Sequence, residues 1–273
     1  MDKRTRTFWQ GKRIFITGTT SGLGLAVVEA LAPLPVTIGM FSRNSDKLQE
    51  ITHHLKGKPA RLWWRAGDVR DRKQVETAVQ AFTAFASGLD VVWANSGISL
   101  DTRQVKWQWD AYHTIIETNL HGAVYTIQAA LQAMGGQYAR GHVVGIGSAA
   151  SMRGLPGRGI YSLTKISLAY FLESLVAEFP EVSFHIIHPG FVDTPINQGN
   201  PNRFWLLHPP QAAQIMLREV ARGKKRIIYP WQMKWLYHLV HCLPEPVYYW
   251  VAKKAAERSI PRGERQDPDN RLP

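Results

Sequence analysis

The sequence is poor in cysteine and in clusters of metal-binding side chains. Cys242 is the single cysteine of 273 residues, which excludes an internal disulfide and a multi-thiolate metal site. The His, Asp and Glu residues do not recur at metal-ligand spacings, so we expect no bound metal. Such sparing use of cysteine is typical of a reducing compartment. We therefore predict a cytoplasmic protein and leave membrane association open.

Long uncharged apolar runs are missing as well. The apolar stretch after the basic N-terminus is only Ile14-Phe15-Ile16, which is too short for a secretory leader. The longest charge-free run lies between Glu117 and Arg140 and is interrupted by Asn, His and Gln residues. A run of this kind favours a packed helix over a membrane span, so we expect no transmembrane helix.

Acidic residues are scarce relative to basic ones. The chain has 33 Lys and Arg but 21 Asp and Glu, which gives a formal net charge of +12. This excess indicates an anionic partner, which would be a nucleic acid, an anionic membrane or an anionic cofactor. No nucleic-acid-binding motif is visible, so we expect no nucleic acid partner. With 45% apolar and 20% charged residues, the composition is that of a globular protein.

Short apolar runs alternate with helix-length segments along most of the chain. The predicted strands are Arg13–Thr17, Val36–Phe41, Arg61–Ala66, Leu89–Ala94, His142–Ile146, Val182–Ile187 and Arg226–Tyr229. The predicted helices are Gly22–Leu31, Ser45–Leu55, Arg72–Phe85, Trp109–Met134, Gly159–Phe179 and Pro210–Arg222. The strands are rich in Val and Ile, as in a parallel sheet buried on both faces. This alternation predicts an α/β fold: a doubly wound, Rossmann-like parallel sheet of about seven strands with helices on both faces.

A glycine-rich turn directly follows the first predicted strand. Its sequence is Thr17-Gly18-Thr19-Thr20-Ser21-Gly22-Leu23-Gly24, and a helix pattern comes next. Glycines here allow a tight turn and a close approach of a pyrophosphate to the helix N-terminus. The turn therefore predicts a dinucleotide site, although a turn without a ligand is the alternative. The residues predicted to contact the cofactor are Gly18, Thr20, Ser21, Gly22, Leu23 and Gly24.

The ends of the second and third predicted strands bear on the choice of cofactor. An acid after the second strand suits a free ribose 2′-hydroxyl, whereas an Arg suits a 2′-phosphate. Ser42 and Arg43 stand at this point, so the sequence favours NADP(H) over NAD(H). Asp68 and Val69 after the third strand are further candidate cofactor residues. Asp68 would bond the adenine amino group, or would instead be a helix N-cap or a loop residue.

Three residues form a candidate catalytic group. Ser148 lies at the end of the fifth predicted strand, at the edge where doubly wound folds bind ligands. Tyr161 and Lys165 are four residues apart and project from one helix face. A neighbouring ammonium lowers the pKa of a tyrosine hydroxyl from about 10, so Tyr161 is predicted to act as a general acid or base.

Together these motifs resemble those of the short-chain dehydrogenase/reductase family over residues 11–229. The resemblance is carried by Thr17-Gly18-x-x-x-Gly22-x-Gly24, Ala94-Asn95-Ser96-Gly97, Asn119, Ser148, Tyr161-x-x-x-Lys165 and Pro189-Gly190-x-Val192-x-Thr194. It implies that Tyr161 donates a proton to the substrate carbonyl as hydride arrives from the nicotinamide. Lys165 would tune Tyr161 and hold the nicotinamide ribose, and Ser148 would bond the carbonyl oxygen.

The same resemblance implies roles for the remaining motif residues. Asn119 would hold a water that links Lys165 to solvent, and Asn95 would steady the sheet beside the adenosine ribose. Val192 and Thr194 would orient the nicotinamide carboxamide. The predicted cofactor site thus also includes Asn95, Ser96, Gly97, Tyr161, Lys165, Pro189, Gly190, Val192 and Thr194. We expect His185 and His188 to be core or loop histidines and not ligands.

The C-terminal part of the chain is basic and aromatic. In a helix from Trp231 to Leu243, the side chains of Lys234, His238 and His241 share one face. The other face would carry Trp231, Trp235, Leu239 and Cys242. Such a segment can lie in a membrane interface, or it can pack its aromatic side on the body or on a second subunit. Both interpretations remain open for residues 222–254.

The sequence predicts one catalytic domain and an oxidoreductase. Residues 1–230 form a single dinucleotide-binding catalytic domain, residues 231–257 an amphipathic extension and residues 258–273 a polar tail. We expect an NADP(H)-dependent carbonyl reductase, or the reverse alcohol dehydrogenase, that acts on a small apolar substrate. A homodimer or homotetramer is expected from the resemblance. The alternatives are a non-catalytic dinucleotide-binding protein and a membrane-surface adaptor on the same fold.

Overall fold

Seven parallel strands form one sheet in the computed structural model, which describes residues 1–100, 109–135, 141–197 and 203–259. The strands are β1 (Arg13–Thr17), β2 (Thr37–Ser42), β3 (Arg61–Ala66), β4 (Val91–Ala94), β5 (His142–Ile146), β6 (Ser183–Pro189) and β7 (Arg226–Tyr229). Their order is β3-β2-β1-β4-β5-β6-β7, so the direction of winding reverses between β1 and β4. This topology confirms the predicted sheet and opens a crevice at its carboxyl edge.

Ten α-helices surround the sheet in the part of the chain that the structure describes. They are α1 (Lys3–Trp9), α2 (Gly22–Leu31), α3 (Ser45–His54), α4 (Arg72–Ala86), α5 (Trp109–Ile116), α6 (Gly122–Met134), α7 (Gly159–Glu178), α8 (Pro209–Ala221), α9 (Trp231–Cys242) and α10 (Glu245–Ser259). The buried apolar side chains form two clusters, one on each face of the sheet. Helices α1, α2, α3 and α8 contribute to one cluster, and α4, α6 and α7 to the other.

A π-helical turn and helix α1 are among the helical features that were not predicted. The predicted helix Trp109–Met134 is divided into α5 and α6 by a π-helical turn, Glu117–His121. Helix α1 was missed because its sequence is mostly basic and polar. Asp2 caps α1 by accepting a hydrogen bond from the Thr5 backbone N–H at 2.8 Å. Trp9 anchors α1 in the core, where its indole N–H donates to the Leu217 carbonyl oxygen at 3.1 Å.

The C-terminal extension consists of α9 and α10. Helix α9 begins directly after β7 and packs against it. Helix α10 continues to Ser259, two residues into the predicted polar tail, and residues 260–273 lie outside the described part. One helix of the described chain, α7, is long and apolar enough to cross a membrane by length and composition alone. It packs against β5 and β6 in the body of the protein.

Candidate active site

The glycine-rich turn connects β1 to α2 at the crevice. Gly18 and Gly22 adopt φ values of +72° and +58°, in the left-handed region that favours glycine. A side chain at Gly24 would place its Cβ 2.1 Å from the Gly18 carbonyl oxygen. The three glycines therefore have separate roles: two shape the turn and the third lets the first turn of α2 pack against it.

The N-terminus of α2 points its backbone N–H groups out of this turn. Ser21 is the N-cap residue, is exposed, and makes no side-chain hydrogen bond to the helix. Helix N–H groups that are left in this way suit an anion such as a pyrophosphate. Thr20 and Leu23 are half-buried beside Ser21. The predicted phosphate-binding residues thus lie together at one helix N-terminus.

Asn95 joins the end of β4 to the glycine-rich turn. Its side-chain amide donates to the carbonyl oxygens of Thr17 and Gly18, both at 3.0 Å. The Thr17 hydroxyl accepts in return from the backbone N–H groups of Asn95 and Ser96, at 3.1 and 3.2 Å. These bonds join the carboxyl ends of β1 and β4 at the crevice. The role of Asn95 beside an adenosine ribose, which the resemblance implies, stays a prediction.

Ser42 supports the turn and leaves Arg43 as the exposed group at the end of β2. The Ser42 hydroxyl is buried and accepts from the Thr19 backbone N–H at 2.7 Å. The next residue, Arg43, is exposed. Ser42 therefore contributes by holding the turn, whereas Arg43 is the side chain that is available to an anion.

Asp68 is a loop residue whose carboxylate is already paired. Both its oxygens accept from Arg70, with a shortest distance of 2.7 Å to the guanidinium. Burial raises the pKa of Asp68, but the hydrogen bonds and charge of Arg70 outweigh it and hold that pKa below its ordinary value. The predicted N-cap alternative is wrong, since Asp71 caps α4. Val69 is buried and packs on Gly122 at the start of α6.

Tyr161 and Lys165 project from the first turns of α7 towards the end of β5. Lys165 is 3% exposed, and its ammonium donates to the Ile146 carbonyl oxygen at 2.8 Å. Its Nζ lies 5.7 Å from the centroid of the Tyr161 ring. Burial lowers the pKa of Lys165 to about 8, because a low-dielectric environment disfavours the charged form. Lys165 therefore titrates close to neutral pH.

The pKa of Tyr161 moves in the direction opposite to the sequence-based prediction. Burial raises it, and this effect outweighs the hydrogen bond with Ser148 and the charge of Arg158, which both lower it. The two groups that lower the pKa of Tyr161 are Ser148 and Arg158, and not Lys165 as the sequence predicted. In this geometry Tyr161 is protonated at neutral pH, the form in which a phenol donates a proton.

Asn119 connects α7 to the loop that follows β4. It lies in the π-helical turn, is fully buried, and exchanges two hydrogen bonds with the backbone of Ile98 at 2.8 and 2.9 Å. Its amide also donates to the Thr164 hydroxyl at 3.3 Å. A Cβ on Gly97 would lie 3.3 Å from the Asn119 amide oxygen and 3.4 Å from the Lys165 Nζ. The Asn119 amide oxygen and the Lys165 ammonium therefore both lie beside Gly97.

His188 and Ser151 both contact the backbone carbonyl of Ser148, an arrangement that the sequence did not predict. The Ser151 hydroxyl donates to the Ser148 carbonyl oxygen at 2.6 Å and lies 2.8 Å from His188 Nδ1. His188 Nδ1 lies 3.1 Å from the same carbonyl, which only accepts, so the ring proton is on Nδ1. Burial lowers the pKa of His188 to about 4. The residue is therefore a neutral buried histidine, as expected, but one that positions the Ser148 turn.

The loop after β6 closes the other side of the crevice. Gly190 donates its N–H to the Tyr229 carbonyl at 2.7 Å, which fixes the start of the loop. Val192 and Thr194 are both buried. Thr194 lies over Gly22, and a Cβ added to Gly22 would be 3.3 Å from the Thr194 methyl group, which is a tight contact. The predicted Pro189–Thr194 segment thus lies against the glycine-rich turn.

These features define a dinucleotide-binding oxidoreductase fold, and comparison with known proteins identifies the family. The profile described as "short chain dehydrogenase" matches residues 12–203. An uncharacterised oxidoreductase of Myxococcus xanthus is 31% identical over 243 residues, covering 88% of this chain and 95% of the relative. An uncharacterised oxidoreductase of Staphylococcus aureus is 29% identical over 212 residues, covering 77% and 90%.

Solved structures agree with this assignment. An alcohol dehydrogenase from Thermococcus sibiricus, complexed with 5-hydroxy-NADP, has a TM-score of 0.73 and 25% identity, covering 80% of this chain and 96% of its own. A short-chain dehydrogenase/reductase from Burkholderia phymatum, in complex with NAD, has a TM-score of 0.78 and 20% identity, covering 85% and 94%. The chain belongs to the short-chain dehydrogenase/reductase family. It is a dehydrogenase/reductase of the type that acts on CH–OH and C=O groups.

Proposed function

We propose that the protein is an NADP(H)-dependent carbonyl reductase, or an alcohol dehydrogenase in the reverse direction. The observation that carries this proposal is the convergence of Ser148, Tyr161, Lys165 and Asn119 at the carboxyl edge of the sheet. A purely nucleotide-binding protein has no need for a buried lysine beside a protonated tyrosine. The non-catalytic alternatives therefore explain less of the site.

The site fits a nicotinamide dinucleotide in its donor groups and in its shape. The exposed N-terminus of α2 suits the pyrophosphate, and the glycines allow the backbone to approach it closely. Pro189, Gly190, Val192 and Thr194 form the loop proposed to bind the carboxamide end. When bound, the dinucleotide supplies or accepts the hydride.

Each catalytic side chain has one proposed task. The Tyr161 hydroxyl donates its proton to the carbonyl oxygen of the substrate, and the Ser148 hydroxyl bonds the same oxygen. The Ser148 oxygen already accepts from the Ala150 N–H at 3.0 Å, so its own proton is directed elsewhere. A water held by Asn119 would return a proton to Tyr161 through Lys165. Positioning and charge stabilisation of this kind supply most of a rate enhancement.

The preference for NADP(H) is proposed from Arg43. Arg43 is exposed at the end of β2. The residue before it is Ser42, so no acidic side chain at that position repels a phosphate. Arg43→Ala should weaken NADPH binding by about tenfold or more, because a charge-assisted hydrogen bond is worth about 1.5–3 kcal/mol. NADH binding should be nearly unchanged. Equal losses for the two cofactors would remove Arg43 from this role.

Substrate and partners form the remaining part of the proposal. The loops beside the site carry apolar side chains, among them Met152, Leu155 and Phe204, which supports a small apolar carbonyl or alcohol substrate. Leu163 and Tyr170 on α7 are exposed and lie one above the other at i and i+7, which supports a homodimer through this helix. Peripheral membrane contact is proposed for residues 222–254.

NADPH oxidation with ketones and aldehydes of graded chain length tests the proposed function. We expect turnover that improves as the apolar chain of the substrate lengthens. NADPH binding without turnover of any carbonyl in the series, and no NADP⁺ reduction with the matching alcohols, would support the non-catalytic alternatives instead.

A further inference from the structure

The aromatic side of α9 faces solvent. Trp231, Trp235 and Leu239 are 69%, 73% and 63% exposed, and they follow one another at spacings of four. With the exposed Cys242 they occupy about 80° of the helix circumference. We call these four residues the tryptophan face. Helix α10 adds Val247, Tyr249, Trp250 and Val251, which are also exposed.

The opposite side of α9 makes the contacts with the body. Met233 and Tyr237 are buried, and a Cβ on Gly190 would lie 3.1 Å from the Met233 methyl group. The interpretation in which the aromatic side packs on the body is therefore wrong, because a different side of the helix does so. Two exposed tryptophans on one helix are costly in water, since a large apolar side chain gains about 1.5–3 kcal/mol on burial. Burial of the tryptophan face against an external surface would therefore be favourable.

The charge around the tryptophan face selects the kind of surface. Residues 222–254 carry seven Lys and Arg and one acid, Glu245. Arg222 and Arg226 pair with Glu219 and Glu173. The excess charge on the two helices is carried by Lys234, Lys253 and Lys254, whereas Lys224 and Lys225 precede β7 at the other edge of the sheet. A second copy of the chain would bring like charges together across a two-fold contact. An anionic bilayer complements both the lysines and the tryptophans.

The extension is also joined to the loop between Ser148 and Tyr161. The Arg153 guanidinium donates to the Leu243 carbonyl oxygen at 2.6 Å and lies 4.9 Å from the centroid of the Tyr248 ring. The Tyr248 hydroxyl donates to the Gly154 carbonyl oxygen. On the buried side of α9, the Tyr237 ring packs against His188 at a centroid distance of 5.3 Å.

We propose that the tryptophan face docks on an anionic lipid surface and brings the active-site mouth to that surface, so that the substrate is a carbonyl or alcohol dissolved in the bilayer. The docking follows from the exposed tryptophans and their lysines. The substrate class rests on the proposed function and on the contacts at Arg153 and Tyr237, which place the docking helices beside the catalytic loop. A membrane-dissolved substrate would then reach Tyr161 without crossing water.

Vesicle co-sedimentation of the full chain tests the docking. The vesicles are phosphatidylcholine alone, or phosphatidylcholine with phosphatidylglycerol, at low and high salt. We expect binding to the anionic vesicles that weakens with salt. Trp231→Ser with Trp235→Ser should reduce binding by about tenfold or more. Lys234→Gln with Lys253→Gln should reduce it by roughly 25-fold, or fivefold for each lysine. Trp109→Ser, at a tryptophan of α5 that is 63% exposed, and Lys56→Gln are the controls.

Turnover separates the docking from the catalysis. The Trp231→Ser/Trp235→Ser protein should reduce a water-soluble ketone at the wild-type rate, but should lose several-fold in kcat/KM for a long-chain ketone held in anionic vesicles. Equal vesicle binding by wild type and both double variants would overturn the proposal. So would a wild-type dimer that becomes monomeric in the Trp variant, because a second copy would then cover the face. Absence of vesicle binding with intact turnover overturns the docking and leaves the proposed function standing. Binding without any turnover overturns the proposed function and the substrate class with it, and leaves the docking standing.

Discussion

Substitution of Gly24 by alanine tests the account of the glycine-rich turn. In an exposed helix interior, Gly→Ala stabilises by about 0.5–1 kcal/mol, because alanine loses less conformational entropy. At Gly24 the new methyl group would lie 2.1 Å from the Gly18 carbonyl oxygen and 2.6 Å from the Asn95 amide nitrogen. Both contacts are with groups held by hydrogen bonds, so the turn itself must move. Overpacking of this kind costs about 1–3 kcal/mol.

The free-energy cost of the clash at Gly24 therefore outweighs the gain in helix propensity from alanine. We expect Gly24→Ala to lower the free energy of unfolding by about 1–2 kcal/mol in urea titrations. The NADPH Kd, measured by fluorescence, should rise by about tenfold or more, because the α2 N-terminus is displaced. Gly159→Ala, where no atom lies within 4 Å of the new Cβ, should leave both values unchanged or slightly improved. Wild-type stability and NADPH affinity in Gly24→Ala would refute the reasoning.

Three further predictions concern Ser151, Lys165 and the ion pair between Arg13 and Asp90. Ser151→Ala removes the hydrogen bond to the Ser148 carbonyl and should lower kcat several-fold, with little change in the KM for NADPH. Ser151→Thr keeps a hydroxyl and should restore part of the kcat. An unchanged kcat in Ser151→Ala contradicts the positioning role. Since burial lowers the pKa of Lys165 to about 8, its ammonium is lost as the pH rises through that value, and kcat/KM for NADPH should fall there; a profile flat to about pH 10 contradicts this. Burial raises the pKa of Asp90, but Arg13 outweighs it and holds the folded-state pKa below 3.8. This pair therefore stabilises the fold above about pH 4 and stabilises it less as the pH falls. Asp90→Asn should lower the free energy of unfolding by about 1–3 kcal/mol at pH 7, and the variant should lose less stability than wild type on acidification, as measured by urea titrations. The same dependence of stability on pH in wild type and variant would contradict this prediction.

The parallel sheet was predictable because its strands are continuous apolar runs. The predicted β1, β3, β5 and β7 agree with the structure, while the others begin or end one or two residues away. Helix α1 was not predictable from periodicity, since only Thr5 and Trp9 are buried. Its stability comes from a cap at Asp2 and one buried indole, neither of which leaves a repeating pattern in seven residues.

The site was predictable where motif spacing determines geometry, and less so where burial does. Tyr161 and Lys165 share a helix face as their spacing required. The direction of the Tyr161 pKa depends on how deeply the hydroxyl is buried, and the sequence does not give that depth. His188 and Ser151 are 37 residues apart and meet only because β5 and β6 are neighbours in the sheet. The contact of Arg153 with the C-terminal extension has the same long-range origin.

The most direct test of the central claim is the turnover of Tyr161→Phe. The substitution removes the hydroxyl that donates the proton and keeps the ring that packs beside Lys165. We expect NADPH to bind with an affinity near that of wild type, and kcat for the best ketone of the chain-length series to fall by about 10²–10⁴, the range that general acid catalysis supplies. Tyr161→Phe turning over at the wild-type rate would contradict the assignment of Tyr161 as the acid and the proposed function with it.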